Sequence, residues 1–485
     1  MERPDVRRWL RLVNASLLTL LAACGREPGL TEAEARAQAA ARGPLVPEGF
    51  DATEIRAALL YSPVPALPPD PTNRYADDPG AAALGQRLFF DRRLSKDGRT
   101  SCATCHDPRD SFVDLDPLAT GVLPLERHTP SLWNVGHLRW FFWDGRADSL
   151  WAQALVPLES PLEHAFTRSE VVRVVYDDPA LRALYEGVFG ELPPMTDKRR
   201  FPAWSRPVPS DDRAHILAEE HAQRAAALGA NGRPSRTHQH QSAEGAPGSD
   251  WIHPHQRAWD WMHPVDQQAI TRAFVNVGKA LAAYERRIES RRAPFDVFIE
   301  GLREHDPAKL AALDAAQQRG LRLFLGRAQC ASCHHGPLFT DYEFHDTRVP
   351  GEPLTDPGRS AGIEAVGRAE FSVKSKWSDD PEGPAREKLD YLPVHLHAGR
   401  EFKTPSLRNV ALTPPYMHNG SLPTLESVID FYADRVNVAP DTGGGERILA
   451  QPMALSPQDR ADLVAFLNAL TDDSLDPSLR AAPRD

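Results

Sequence analysis

Two pentapeptides, CATCH at residues 102–106 and CASCH at 330–334, constrain this chain more than any other feature. Each holds two thiols three positions apart, with a histidine directly after the second. Residues three apart on a helical turn face the same way. Both thiols can therefore add to the vinyl groups of one haem, and the tethered histidine comes to lie beside the iron as proximal ligand. Cys102, Cys105, Cys330 and Cys333 are expected to attach two c-type haems, with His106 and His334 on the irons. Structural zinc is the competing use of paired thiols, but such pairs usually lie about 15 to 20 residues apart, whereas 224 residues separate Cys105 from Cys330. A redox disulfide leaves the two histidines unexplained. His335, next to His334, reads as a solvated neighbour.

The fifth cysteine, Cys24, closes a leader. Arg3, Arg7, Arg8 and Arg11 precede the short apolar stretch LVNASLLTLLAA, which ends in LAAC. Residues 1–24 are expected to be a lipoprotein-type export signal with Cys24 lipidated; ordinary cleavage near Ala23 is the alternative. Either reading puts the body on the periplasmic side of a bacterial envelope, the first with a lipid anchor. No run of eighteen apolar residues occurs outside the leader, so a membrane-spanning body is not expected. The net charge of -11 speaks against a nucleic-acid surface.

The body reads as mainly α-helical, with sparse strand signals and long loops. Residues 25–79 are Pro- and Ala-rich and read as a tether and wrapping arm. GQRLFF (85–90) lies ahead of the first haem motif and GLRLFL (320–325) ahead of the second, which suggests two related cytochrome-c-like units, 80–300 and 301–476, before a tail at 477–485. Ile270, Phe274, Val277, Leu281 and Tyr284 recur at helical spacing and predict a helix burying one face. Ser456 as cap, Pro457 at the first helical position and Leu463, Phe466, Leu467 and Leu470 inside predict a closing helix. A polar insertion at about 196–255 carries His238, His240, His253 and His255, with His263 beyond, and reads as a solvated loop. Trp259 and Trp261 at its edge read as core or interface residues.

Beyond these motifs the chain resembles a known family. LGQRLFFDRRLSKDGRTSCATCHDP, RHTPSLWNV, FFWDGRADSLWAQALVPLESPLEHA, CASCHHGPLFTDYEFH, FKTPSLRNV and PPYMHNGSLPTLESVIDFY look like the bacterial di-haem cytochrome c peroxidases and the related MauG enzymes. The resemblance runs over roughly residues 80–475 in unbroken order, apart from the insertion. It implies two cytochrome-c domains with one haem each and a calcium ion between them. Hydrogen peroxide would react at the N-terminal haem, and electrons would enter through the C-terminal one. Trp143 in W-D-G-R would lie between the haems; on composition alone it reads as a core residue. Gln153, Pro157 and Glu163 match the offsets of the family's peroxide pocket, with Glu163 as acid–base and Gln153 as its hydrogen-bonding neighbour.

Two departures narrow the resemblance. Many of these peroxidases cap the first haem with a histidine, and here none follows CATCH until His128, so the first iron is expected to be open. His128 also falls where an asparagine often helps hold calcium. Thr413 and Pro415 match the backbone ligands, but an imidazole is a poor substitute for a hard oxygen. The axial ligand of the second haem, methionine in most peroxidases, falls sixteen residues past Tyr416, on Tyr432. MauG also has tyrosine there, and a phenolate favours oxidised iron. A buried aromatic role for Tyr432 stays open, with Met417 and Met453 as fallback ligands and His418 beside the haem. MauG's exit tryptophan, two residues before the second motif, is replaced here by Ala328. The resemblance therefore implies an oxidoreductase of the di-haem peroxidase class. It would be supplied by a small redox protein such as a cytochrome c or cupredoxin, or would act MauG-like on an oxidisable protein. The alternative is a non-catalytic di-haem electron carrier.

Overall fold

The computed structural model describes residues 45–208, 253–351, 356–392, 399–434 and 453–483. The leader with Cys24, and His238 and His240 of the insertion, lie outside the described residues. Helices dominate what is described. Those that build the pockets are α1 (Ala52–Ala58), α2 (Pro79–Phe89), α3 (Leu150–Glu159), α4 (Arg168–Asp177), α5 (Pro264–Glu285), α6 (Ala315–Leu325), α7 (Leu425–Ala433) and α8 (Pro457–Asn468). The described strands are β1 (Phe344–His345) and β2 (Phe402–Lys403), paired antiparallel. Helix starts are chemically marked. Asp78 caps α2 with Pro79 behind it, and Thr167, Asp314, Thr424 and Ser456 form capping boxes on α4, α6, α7 and α8. Each such cap satisfies an otherwise unpaired N–H, a contribution of about 1 kcal/mol.

Two apolar cores form. The first gathers Leu84, Leu88 and Phe89 of α2, Trp151 and Leu155 of α3, and Phe274, Leu281 and Tyr284 of α5. The second gathers Phe295, Phe298 and Ile299 with Leu321 and Phe324 of α6, Ile429 of α7 and Leu463 and Phe466 of α8. The expected single buried face of α5 understates it. From Ile270 to Glu285 the helix is buried nearly all round, because α2, α3 and α4 pack about it. Leu470 is fully buried, but it lies beyond α8, which ends at Asn468.

The repeated G-x-R-L-F segment has a geometric reason. A side chain on Gly85 of α2 would meet the Ala280 carbonyl oxygen of α5 at 1.9 Å, and one on Gly320 of α6 would meet the Asp462 carbonyl oxygen of α8 at the same distance. Each half thus seats its last long helix across the glycine of its first, at a backbone approach only glycine allows.

The described part of the arm is more ordered than its composition suggests. Asp51 caps α1 with a reciprocal bond from Glu54, and Ile55, Ala58 and Tyr61 enter the second core. Further along, Thr72 accepts a bond from the Trp151 indole and the Asn73 amide donates to the Lys279 carbonyl, both in the first half.

Candidate active site

Both CxxCH segments fold as the motif requires, in slightly different ways. Cys102–Cys105 is one turn of α-helix, and Cys330–Ser332 is 3-10. All four thiols are free. Burial pushes Cys105 and Cys330 up to about 12, so they stay protonated. The two histidines share one device. His106 Nδ1 lies 3.1 Å from the Phe112 carbonyl oxygen and His334 Nδ1 lies 2.8 Å from that of Phe339. Both phenylalanines have left-handed backbones, φ 61° and 54°, which turn their carbonyls back toward the rings. Nδ1 then donates its proton and Nε2 keeps a lone pair for a metal. Burial holds both imidazoles neutral by lowering their pKa. Paired thiols beside a cavity and a neutral histidine held through Nδ1 fit a covalently held haem at each motif.

The first cavity, about 540 Å³, brings Cys102, Cys105 and His106 together with Gln153, Pro157 and Glu163. Gln153 and Pro157 lie one turn apart on α3 and so share a face. Pro157 cannot donate, which leaves the Gln153 carbonyl without its helical N–H. Glu163 sits in the turn after α3. Its N–H donates to the Ser160 carbonyl (3.2 Å), and its own carbonyl accepts from Val122 (2.8 Å), within a tight strap formed by residues 119–125. Burial raises the Glu163 carboxyl pKa against the pull of Arg146 and Ser160, so this acid keeps its proton further up the pH scale than usual. Two wall residues escaped the sequence reading. His164 is buried, with Nδ1 2.9 Å from the Leu94 carbonyl oxygen. Glu285, the last residue of α5, is 5% exposed with Oε2 unpartnered, and burial pushes it up to about 8.

The second cavity is larger, about 1210 Å³, and mostly apolar. Cys330, Cys333 and His334 line it, and so do Tyr432 of α7, Met417 and Met453, so all three candidate axial ligands face one space. Met417 sits in a left-handed turn at φ 72°, and the Met453 N–H donates to the Ala433 carbonyl at the end of α7. Ala328 is buried in the same wall. Trp143 belongs to this cavity and is not among the residues lining the first. Its indole N–H donates to the His128 carbonyl (2.8 Å), and its carbonyl accepts from Lys403 of β2 (2.8 Å). His418 lies edge-on to Trp143 and stacks on Phe402 with ring centres 3.6 Å apart. Burial and the nearby Arg127 push His418 down to about 3, so its ring is neutral.

His128 does not fit a calcium site through its side chain. Its Nδ1 is taken by the Asp116 carbonyl at 2.9 Å, and its own carbonyl by Trp143. Thr413 directly precedes the cis pair Pro414–Pro415, and its hydroxyl donates to the Val410 carbonyl. The group of Cys333, Asp341 and His345 has ligand-spaced atoms, but its cysteine belongs to the second CxxCH motif. In the described edge of the insertion, His253 is buried and caps the helix Pro254–Asp260, against the expectation of a solvated loop. His263 and His335 are exposed. Trp259 is buried, whereas Trp261 is 80% exposed. No helix among the described residues is long and apolar enough to cross a membrane.

Comparison with known proteins agrees with this geometry. The family model for di-haem cytochrome c peroxidase matches residues 79–206, the segment holding CATCH, Trp143, Gln153, Pro157 and Glu163. The methylamine utilization protein MauG of Methylorubrum extorquens is 30% identical over 81% of this chain and 78% of its own length. A cytochrome c peroxidase of Denitromonas iodatirespirans is 29% identical over 85% of this chain and 87% of its own. Among solved structures, a MauG-like protein associated with microbial copper homeostasis superposes with a TM-score of 0.54 at 23% identity, covering 87% of this chain and 98% of that one. The diheme peroxidase BthA of Burkholderia thailandensis superposes at 0.53 and 23% identity, covering 84% and 90%. With its thiol-histidine pockets and this span of similarity, the chain belongs to the di-haem cytochrome c peroxidase and MauG family of oxidoreductases.

Proposed function

We propose that this chain reduces hydrogen peroxide in the first cavity, with electrons arriving by way of the second. The observation that carries this is the first cavity's wall, where one haem-attachment motif faces Gln153, Pro157 and Glu163. Bound haem would supply an iron that takes up peroxide and exchanges electrons with it. The chain supplies the protons. Overall, H2O2, two electrons and two protons give two waters. A buried carboxyl that holds its proton toward neutral pH can relay a proton from the near peroxide oxygen to the departing one, and general acid–base help of this kind contributes roughly a hundred- to ten-thousandfold in rate. Glu163 has that burial, and the strap's hydrogen bond at its carbonyl fixes its position. Gln153, one turn before Pro157, would orient the peroxide as its hydrogen-bonding neighbour.

Two cytochrome-c-like units, one on each side of residue 300, would each carry a haem, and Trp143 would relay electrons between them. Tyr432 is the residue we favour to hold the second haem's iron opposite His334's side of the cavity wall, on register with MauG and on its place in that wall. An anionic oxygen ligand favours the oxidised iron, which suits storing oxidising power for use on a partner protein. The electron supply or substrate would be a small redox protein or an oxidisable protein on the periplasmic side, with Cys24 as lipid anchor.

The test is the visible and electron paramagnetic resonance spectrum of the holo-protein before and after peroxide, for wild type and Tyr432→Met. Expected are a high-spin resting signal, a response to peroxide, and a methionine-type second haem in the variant alone. Two low-spin haems, both methionine-ligated and inert to peroxide, would instead establish a plain electron carrier.

A further inference from the structure

Lys403 is 9% exposed, its Nζ has no hydrogen-bond acceptor or ion-pair partner among the described residues, and it lines the second cavity. The nearest acid it feels is Asp341, whose carboxylate is already engaged by His345 Nε2 at 2.7 Å and the Glu343 N–H at 2.9 Å. A buried ammonium with no acceptor is costly unless something supplies one. The backbone holds it rigidly there: β2 pairs Lys403 with Phe344 of β1, and its N–H is bonded to Trp143. A second polar atom in the same wall is left over, the buried Nε2 of His418. An ammonium without an acceptor on the wall of a mostly apolar cavity marks where a ligand would present oxygen atoms.

We infer that Lys403 seats a carboxylate of the haem in the second cavity. This rests on the reading that CASCH carries a haem. The cysteines can hold the ring only by its vinyl side, and a haem's two propionates are the acceptors left to satisfy. Burial pushes Lys403 down to about 8 in the protein alone, and a carboxylate partner would restore its charge. A cation held there favours the ferrous over the ferric haem, because the ferric state carries one more positive charge.

The experiment is spectroelectrochemical titration of the holo-protein for wild type, Lys403→Met and Lys403→Arg, with a covalent haem count on each. The methionine variant keeps the volume and should keep both haems. Its second haem should shift about tenfold toward ferric at fixed potential, about 59 mV for one electron, and its midpoint should become pH-dependent. Lys403→Arg should stay within about twofold of wild type. In wild type and Lys403→Arg, but not in Lys403→Met, resonance Raman should show a hydrogen-bonded propionate on the second haem. An unshifted midpoint in Lys403→Met, or a free-propionate signature in wild type, overturns the inference. One haem per wild-type chain overturns it together with the two-haem reading, whereas two haems with an unmoved midpoint sink the role of Lys403 alone.

Discussion

The two cavities begin from the same device and end with opposite chemistry. In both, paired thiols precede a neutral histidine whose Nδ1 is bonded to the carbonyl of a left-handed phenylalanine. On the remaining walls they part. The first cavity is small and holds two acids, the half-buried Glu163 and the buried Glu285, both pushed toward keeping their protons. The second is more than twice as large, mostly apolar, and holds a buried lysine with tyrosine and methionine side chains. Because the histidine side is alike, whatever distinguishes the two pockets must come from the other residues. A proton store suits peroxide cleavage, and a fixed cation in a wide apolar pocket suits holding an electron.

The largest expected effect separates the pockets directly. Glu163→Gln should lower peroxide turnover roughly a hundred- to ten-thousandfold while both haems stay attached. Turnover within threefold of wild type would remove the distinction between an acid pocket and a storage pocket. Next comes the frame of the second half. Arg408 is fully buried and pairs through two nitrogens with Asp296, at 2.7 and 3.0 Å. Arg408→Ala should destabilise by about 3–5 kcal/mol, since it strands a buried carboxylate; denaturant unfolding measures this, and a loss below about 1 kcal/mol counts against it. Third, Gly85→Ala and Gly320→Ala should each cost about 1–3 kcal/mol by overpacking. Similar losses in the two variants sharpen the likeness of the halves, and a loss in only one breaks it.

The smallest effect is a pH slope. Glu285 sits at about 8 when folded, above its ordinary 4.5. Between those values the folded state binds the extra proton, so stability falls as pH rises from about 4.5 through about 8. Glu285→Gln should flatten that fall, and melting temperatures at several pH values across the window would show it. Equal slopes in wild type and variant would mean that this carboxyl does not titrate in the cavity.

Much of this was legible because it is local. CxxCH spacing, Ser456 before Pro457 and the repeated glycines are short-range patterns, and the structure gives the glycines a backbone contact as their reason. Gln153, Pro157 and Glu163 were found by register with the family, and they face one cavity. Glu285 and Lys403 were missed because a charged residue in sequence reads as surface. Only the packing around α5 and the pairing of β1 with β2 bury them. The same blindness put His253 in solvent and left Trp261 as a core or interface candidate. The helix α1 hides inside a Pro- and Ala-rich arm because a capping box and three apolar residues suffice to fix it against the second core.

That arm has a consequence for how the molecule comes apart. Tyr61 is committed to the second core and Asn73 is bonded to α5 of the first, with eleven residues of chain between them. One stretch of chain thus ties the two cores together. Heating should give one calorimetric transition, and a protease cut within residues 64–70 should split it into two.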